Sequence, residues 1–352
     1  MTADPSAARE GLPEAEARFL RARPDYGETR EIDLLREREL ARLDATGTVY
    51  LDYTGSGLYA ASQVRRHAEM LLREVLGNPH SANPASARST DLVESCRRRA
   101  LAFFRADPDE YALVFTANAS QALKLVGESY PFQPGDQLLL TFDNHNSVNG
   151  IREFDRAHGA RTVYLPMIPP DLRVDDDALD RALAGGTPGG HNLFAFPAQS
   201  NFSGVQHPLP WIARAKERGW DVLLDAAAFV PTNVLDLARW RPDFVALSFY
   251  KMFGYPTGVG CLLARRDALA RLERPWFAGG TVNFSTVQAR AHLLSPGEAG
   301  FEDGTLNFAS IPAVAIGLRH LEQAGMDRIA TRVRCLTGWL LQELVALRHA
   351  NG

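Results

Sequence analysis

Cysteine is scarce in this chain. Cys96, Cys261 and Cys335 are the only three, an odd number, widely spaced and without a CxxC pair. That argues against a disulfide framework and against a cysteine zinc site, and it predicts a reducing, cytoplasmic setting with no metal centre. Long apolar runs are missing too, since no stretch approaches the ~18 residues of a membrane helix. The opening MTADPSAAREGLPEAEARFL carries acidic residues and no apolar core, so it does not read as a signal peptide. Basic charge is not in excess: the formal net charge is -4, which argues against nucleic acid or an anionic membrane as the main partner. The cluster Arg97-Arg98-Arg99 falls in a charged helical run and reads as solvated face. Neither an internal repeat nor a low-complexity linker is visible.

What is present is ordinary for a soluble enzyme. The 352 residues are 45% hydrophobic and 23% charged, enough for a sizeable core and about two domains. Residues 1 to about 12 are expected to be disordered. From Pro13 to Leu43 apolar residues such as Phe19, Leu35 and Leu40 recur among many charges, predicting a helical arm. Helices are expected at about 62–76 and 89–105, with the loop GNPHSANP between them, where His80 is an exposed candidate for touching substrate. From Tyr111 strands and helices alternate. The strands read as 111–115, 137–141, 161–165, 192–196, 221–225, 243–247 and 259–263, with helices at 119–128, 147–158, 176–184 and 210–218. That alternation predicts an α/β fold with a mostly parallel seven-stranded sheet covered by helices on both faces. Two further helices are expected at about 311–323 and 327–348.

The rest is organised around PDFVALSFYKMFGYPTGVG, Pro242 to Gly260. Phe244 to Leu247 form a short buried strand, and Lys251 stands just past its end, ahead of a glycine-rich turn. Such a lysine can cap a strand at the surface. With its stem in apolar surroundings it has a depressed pKa and can form a Schiff base with an aldehyde. Three other strand ends supply matching groups. Asp225 closes DVLLD, as a turn residue or as a partner for a protonated pyridine nitrogen. Ser120 opens the helix after VFTANA, where free N–H groups suit phosphate. His145 lies in DNHNSVNG after QLLLTF, with Asp143 and Asn144 beside it to orient its ring. Ligand sites of α/β folds lie at strand C-termini.

YLDYTGSGLY, GNPHSANP, VFTANASQALKLVGE, NHNSV, FPAQSNFSGVQHPL, LLDAAAFVPTN, PDFVALSFYKMFGYPTGVG and FEDGTLNF follow in one order from Tyr50 to Phe308. In these words the chain resembles the class V aminotransferase and cysteine desulfurase superfamily of fold-type I pyridoxal phosphate (PLP) enzymes. Within it the likeness is to the amino-terminal desulfurase-like domain of molybdenum cofactor sulfurases. The resemblance implies roles. Lys251 looks like the Schiff-base lysine, Asp225 like the partner of the pyridine nitrogen, and His145 like the residue stacked on the ring. Asn201 resembles the contact to the ring's 3′ oxygen. Ala119, Ser120 and Ser248 resemble phosphate contacts, and Thr305 resembles the residue reaching the phosphate of a neighbouring subunit in a homodimer. The final strand, VGCLLA, is expected to pair antiparallel at or near an edge.

The resemblance divides the chain into an N-terminal helical arm (1–48), a large PLP-binding domain (49–275), and an interface loop with a truncated small domain (276–352). The small-domain arginine that holds a substrate carboxylate in relatives, and the mobile loop bearing their sulfur-accepting cysteine, are not visible. Cys335 lies at helical spacing inside an amphipathic helix and reads as a core residue. The implied function is a PLP-dependent reaction on a small amino acid, with cysteine desulfuration leading. Aminotransfer, epimerisation, β-elimination and a catalytically weak PLP-binding remnant are the alternatives.

Overall fold

The computed structural model of the protein describes residues 11–79, 81–349 and 351. His80 and residues 1–10 of the expected disordered start lie outside the described residues. Two compact units are present. The larger comprises residues 50–231 and 235–319; the smaller comprises residues up to 49, 232–234 and those from 320 onward.

The larger unit is built on seven strands: β1 (Tyr111–Thr116), β2 (Gln137–Thr141), β3 (Arg161–Leu165), β4 (Asn192–Pro197), β5 (Trp220–Asp225), β6 (Phe244–Ser248) and β7 (Gly260–Arg265). Their order across the sheet is β1-β7-β6-β5-β4-β2-β3. Each matches its expected span within two residues. The central strands are legible because a sheet covered on both faces needs apolar residues at nearly every position, and β4 and β6 are buried throughout. β2, β3, β4, β5 and β6 pair in parallel. β7 runs against both its neighbours, pairing Leu247 with Cys261 on one side and Val114 with Leu262 on the other. The antiparallel strand foreseen near an edge is thus one place in, with β1 outside it. Leu123 and Val126 of the helix Ala119–Ser129 pack on Leu138, Leu140, Ala195 and Ala246 of the sheet, forming one side of the core.

Three local expectations need correction. The helix expected from residue 89 spans Pro84–Phe103, because Asn83 caps it by accepting the Ser86 N–H and Pro84 fits its first turn. Arg97 is not on a solvated face: it is 5% exposed and donates to Glu302 at 2.8 Å. The helix expected at 147–158 is broken into Asn146–Asn149 and Arg152–Ala157.

In the smaller unit the arm is segmented at Pro24 into the helix Leu12–Ala22, a 3-10 turn and short helices beyond. Its Phe19 ring stands edge-on to Trp339 at 5.7 Å, and Arg332 donates to the Tyr26 hydroxyl at 2.7 Å, fixing the arm to the helix Met326–Ala346.

Candidate active site

The lysine is positioned by a single helical turn. β6 ends at Ser248 and passes into the helix Phe249–Phe253, not directly into a glycine turn. Phe249, Met252 and Phe253 are buried, which leaves Lys251 half-buried. Gly254, at φ 76°, closes the turn with its N–H on the Tyr250 carbonyl at 2.8 Å; this left-handed backbone favours glycine. The TGSGLY segment packs on the same backbone: the Gly57 N–H donates to Tyr250 O at 3.2 Å. A Cβ on Gly57 would stand 2.9 Å from the Lys251 carbonyl.

A cavity of ≈ 190 Å³ opens at the C-terminal ends of the central strands. Ala119, Ser120, His145, Asn201, Asp225, Ser248 and Lys251 all line it. Thr305 does not; it is exposed on the loop after Gly304, where its Oγ1 accepts from Asn78 Nδ2 at 3.5 Å. Ser147, Gln199 and Tyr250 also line the cavity without having been singled out. Each lies within two residues of one that was, so the only available signal was adjacency.

One end of the cavity is made of hydroxyls and a helix N-terminus. The Ala119 N–H donates to Ser248 Oγ at 2.8 Å, and the Ser120 and Ser147 hydroxyls lie 2.6 Å apart. Asn118 caps the helix, its side chain accepting the Gln121 N–H. Asp225 also lines the cavity and is 7% exposed. One of its oxygens accepts the Ala227 N–H at 3.0 Å, and among the described residues no ion pair reaches it. Burial pushes its pKa up, against the opposing pull of the Ala227 N–H and of His145 and Lys251. His145 Nδ1 accepts the Ser147 N–H at 3.1 Å, so a neutral ring carries its proton on Nε2. Neither Asp143 nor Asn144 makes a hydrogen bond to that ring among the described residues. Asp143 pairs with His207, and the Asn144 amide donates to Thr141 and Ala195.

This donor set fits pyridoxal 5′-phosphate. A phosphate suits the hydroxyl and helix end, an aldehyde suits the lysine amine, and a protonated pyridine nitrogen supplies the positive partner that the buried carboxylate lacks.

The description of the aminotransferase class-V family matches residues 49–351. The chain belongs to the aminotransferase class-V family. Among curated relatives, the molybdenum cofactor sulfurase of Arabidopsis thaliana is 37% identical, over 92% of this chain and 43% of its own length. The molybdenum cofactor sulfurase of Bos taurus is 39% identical, over 90% of this chain and 38% of its own. The class-V chain thus spans about two-fifths of the length of these relatives. Among solved structures, the apo cysteine desulfurase of Thermococcus onnurineus NA1 superposes with a TM-score of 0.79 at 25% identity, covering 89% of this chain and 76% of that one. C-DES, solved with glycine covalently linked to its PLP cofactor, gives 0.76 at 20% identity, over 89% and 81%. These neighbours carry the fold-type I architecture.

The cysteines of this class-V chain stand apart from the cavity. The Cys96 thiol donates to the Ile311 carbonyl at 3.1 Å, and burial pushes its pKa up to about 12. Burial pushes the Cys261 thiol well up on β7. Cys335 is buried on its helix in the smaller unit. Among the described residues no cluster of side chains is arranged to hold a metal ion, and no helix is long and apolar enough to cross a membrane.

Proposed function

We propose that the chain binds pyridoxal 5′-phosphate at Lys251 and works on a small amino acid, with cysteine as substrate and sulfur as the group removed. The carrying observation is the convergence of Lys251, Asp225, His145 and the Ser120–Ser248 end on one cavity. When bound, the cofactor supplies an electron sink conjugated to the substrate's α-carbon. The chain's own residues do the rest. The Lys251 amine would hold the aldehyde carbon and, when free, would take the α-proton at Nζ. The Asp225 carboxylate would hold a proton at the pyridine nitrogen. His145 would cover a ring face, and Asn201 would contact the 3′ oxygen. Ala119, Ser120 and Ser248 would bind phosphate.

Cysteine as substrate is supported by the names of the relatives, which are sulfurases and desulfurases. The cysteine positions favour one specific form of that chemistry. None of the three thiols lines the cavity, so the proposed acceptor is a thiol outside these 352 residues, giving alanine and a persulfide. The second reading is β-elimination, in which hydrogen sulfide departs and pyruvate and ammonia remain. The partner is a second copy of the chain. Thr305 lies outside its own cavity, exposed on its loop, from which it would serve the neighbour's phosphate, and Phe277 and Phe284 are also exposed. The free, buried thiols suit a reducing compartment such as the cytoplasm.

The test is spectroscopic and chemical. Protein purified with PLP absorbs as a lysine-bound chromophore, and borohydride fixes the label to Lys251. Retention of colour and label in Lys251→Ala overturns the assignment. A panel of amino acids, with alanine and pyruvate measured separately, then identifies the substrate and divides the two reactions.

A further inference from the structure

Asp143 and His207 form a buried pair that the proposed chemistry does not use. His207 Nε2 lies 2.9 Å from one Asp143 oxygen and 3.2 Å from the other. His207 is 4% exposed, and its ring is stacked on Trp211 with centroids 5.1 Å apart. A carboxylate only accepts, so Nε2 carries the proton in either charge state of the ring. Burial acts to raise the Asp143 pKa. The hydrogen bond and charge of His207, with the hydroxyls of Thr141 and Ser200, outweigh it and bring the carboxyl below its ordinary value.

The two residues belong to different loops. Asp143 follows β2 and stands two positions before His145. His207 closes the loop that presents Asn201: its N–H donates to the Ala198 carbonyl at 3.1 Å, and the Ala198 N–H donates to Asp225 O at 2.8 Å. Within that loop the Ser200 N–H reaches Val205 O at 2.9 Å. His145 and Asn201 are themselves exposed, and these hydrogen bonds lie in the loops that carry them.

We propose that Asp143 and His207 are positioning residues, their hydrogen bond clamping the His145 loop to the Asn201 loop and so fixing these two groups relative to each other. The proposal rests on the PLP reading for its functional consequence, but the clamp itself exists in the apoprotein. It acts through His145 and Asn201 and touches no reacting atom. Outer groups of this kind matter because a reacting geometry lost by about 1 Å costs large factors in rate and affinity.

Two variants separate the hydrogen bond from the packing. His207→Phe keeps an aromatic ring against Trp211 and removes the donor; His207→Gln restores a donor without the ring. Hydrogen exchange of the apoprotein is expected to rise in His207→Phe over both loops, 143–150 and 198–207, and to recover in His207→Gln. PLP affinity is expected to fall about tenfold in His207→Phe, with an altered circular dichroism of the bound cofactor, while His207→Gln stays near the parent. In His207→Phe combined with Asn201→Ala, the loss should be smaller than the sum of the two single losses, because part of the clamp's effect runs through Asn201.

Exchange rising in one loop only, unchanged affinity and dichroism, or fully additive losses would each overturn the clamp. If the parent protein takes no PLP, the cofactor reading fails while the exchange comparison still decides the clamp. If His207→Phe does not fold, Asp143→Asn keeps the shape and weakens the acceptor. It should then raise exchange in both loops and weaken PLP about threefold; no change in either measurement would overturn the proposal.

Discussion

The Ser248 hydroxyl accepts the Ala119 N–H at 2.8 Å, joining the strand that leads to Lys251 to the helix whose first turn lines the cavity. Ser248→Ala removes that acceptor and one of the cavity's hydroxyls. Hydrogen bonds of this kind contribute about 0.5–1.5 kcal/mol net, so PLP binding should weaken about two- to tenfold. Pyridoxal without its phosphate should bind both proteins alike. Equal weakening of the two ligands in a fluorescence titration would place the serine away from the phosphate.

Asp225 predicts an unusual pH dependence for the apoprotein. Its folded pKa is raised by burial above the ordinary 3.8, so the folded state holds this proton more tightly than the unfolded one. Its contribution to stability is therefore full below pH 3.8 and is lost as pH rises through the raised value. Asp225→Asn should cancel that loss. In urea titrations of the apoproteins, the advantage of the variant should grow with pH through this window and then level off. The same variant should bind PLP and lose most activity, because an amide cannot hold the pyridinium charge.

The buried pair Arg97–Glu302 is a structural counterpart. Glu302 also accepts the Phe115 N–H at 2.8 Å, and Arg97 donates to the Leu113 carbonyl. Arg97→Met strands a buried carboxylate and should destabilise by about 3–5 kcal/mol. Adding Glu302→Gln removes the stranded charge while keeping an acceptor for Phe115, and should recover a good part of the loss in chemical denaturation. A double variant weaker than Arg97→Met by the full cost of Glu302→Gln alone would mean the two side chains are independent.

Sulfide release from cysteine should be slow with this chain and should depend on added dithiothreitol. Cys96→Ser, Cys261→Ser and Cys335→Ser, where each folds, should leave the rate unchanged. A thiol that is buried and pushed up to about 12, as in Cys96, holds almost no thiolate at neutral pH. Loss of turnover in any one variant would identify a protein persulfide.

Much of this was readable from the chain before its structure. β4, β5 and β6 declare themselves because burial on both faces forces apolar runs such as NLFAF and FVALS, and polar residues that follow such runs converge at one end of the sheet. Ordering Lys251, Asp225, His145 and Ser120 by strand end therefore brought them to one cavity. What stayed hidden depends on distant partners. Arg97 looks like a solvated charge until Glu302, far along the chain, is placed against it. Asp143 looks like an aid to its neighbour His145 until His207 arrives to claim it. The one-turn helix bearing Lys251 is too short to show a period, and the cap at Asn83 was masked by the prolines around it.

The place of β7 has a consequence for assembly in time. Among the described residues β1 pairs with β7 alone, Tyr111 lying opposite Arg265. A growing chain therefore carries β1, which leads to Ala119 and Ser120, long before the strand that pairs with it has been made. The ring-nitrogen side, on the adjacent strands β4 and β5, can form from nearer neighbours. Pairing across so many residues is slow because the loop must close before any contact is gained. The last residue lining the cavity is Lys251, but the strand that seats β1 ends at Arg265, so a nascent chain cut between the two should retain cofactor poorly although it carries every lining residue.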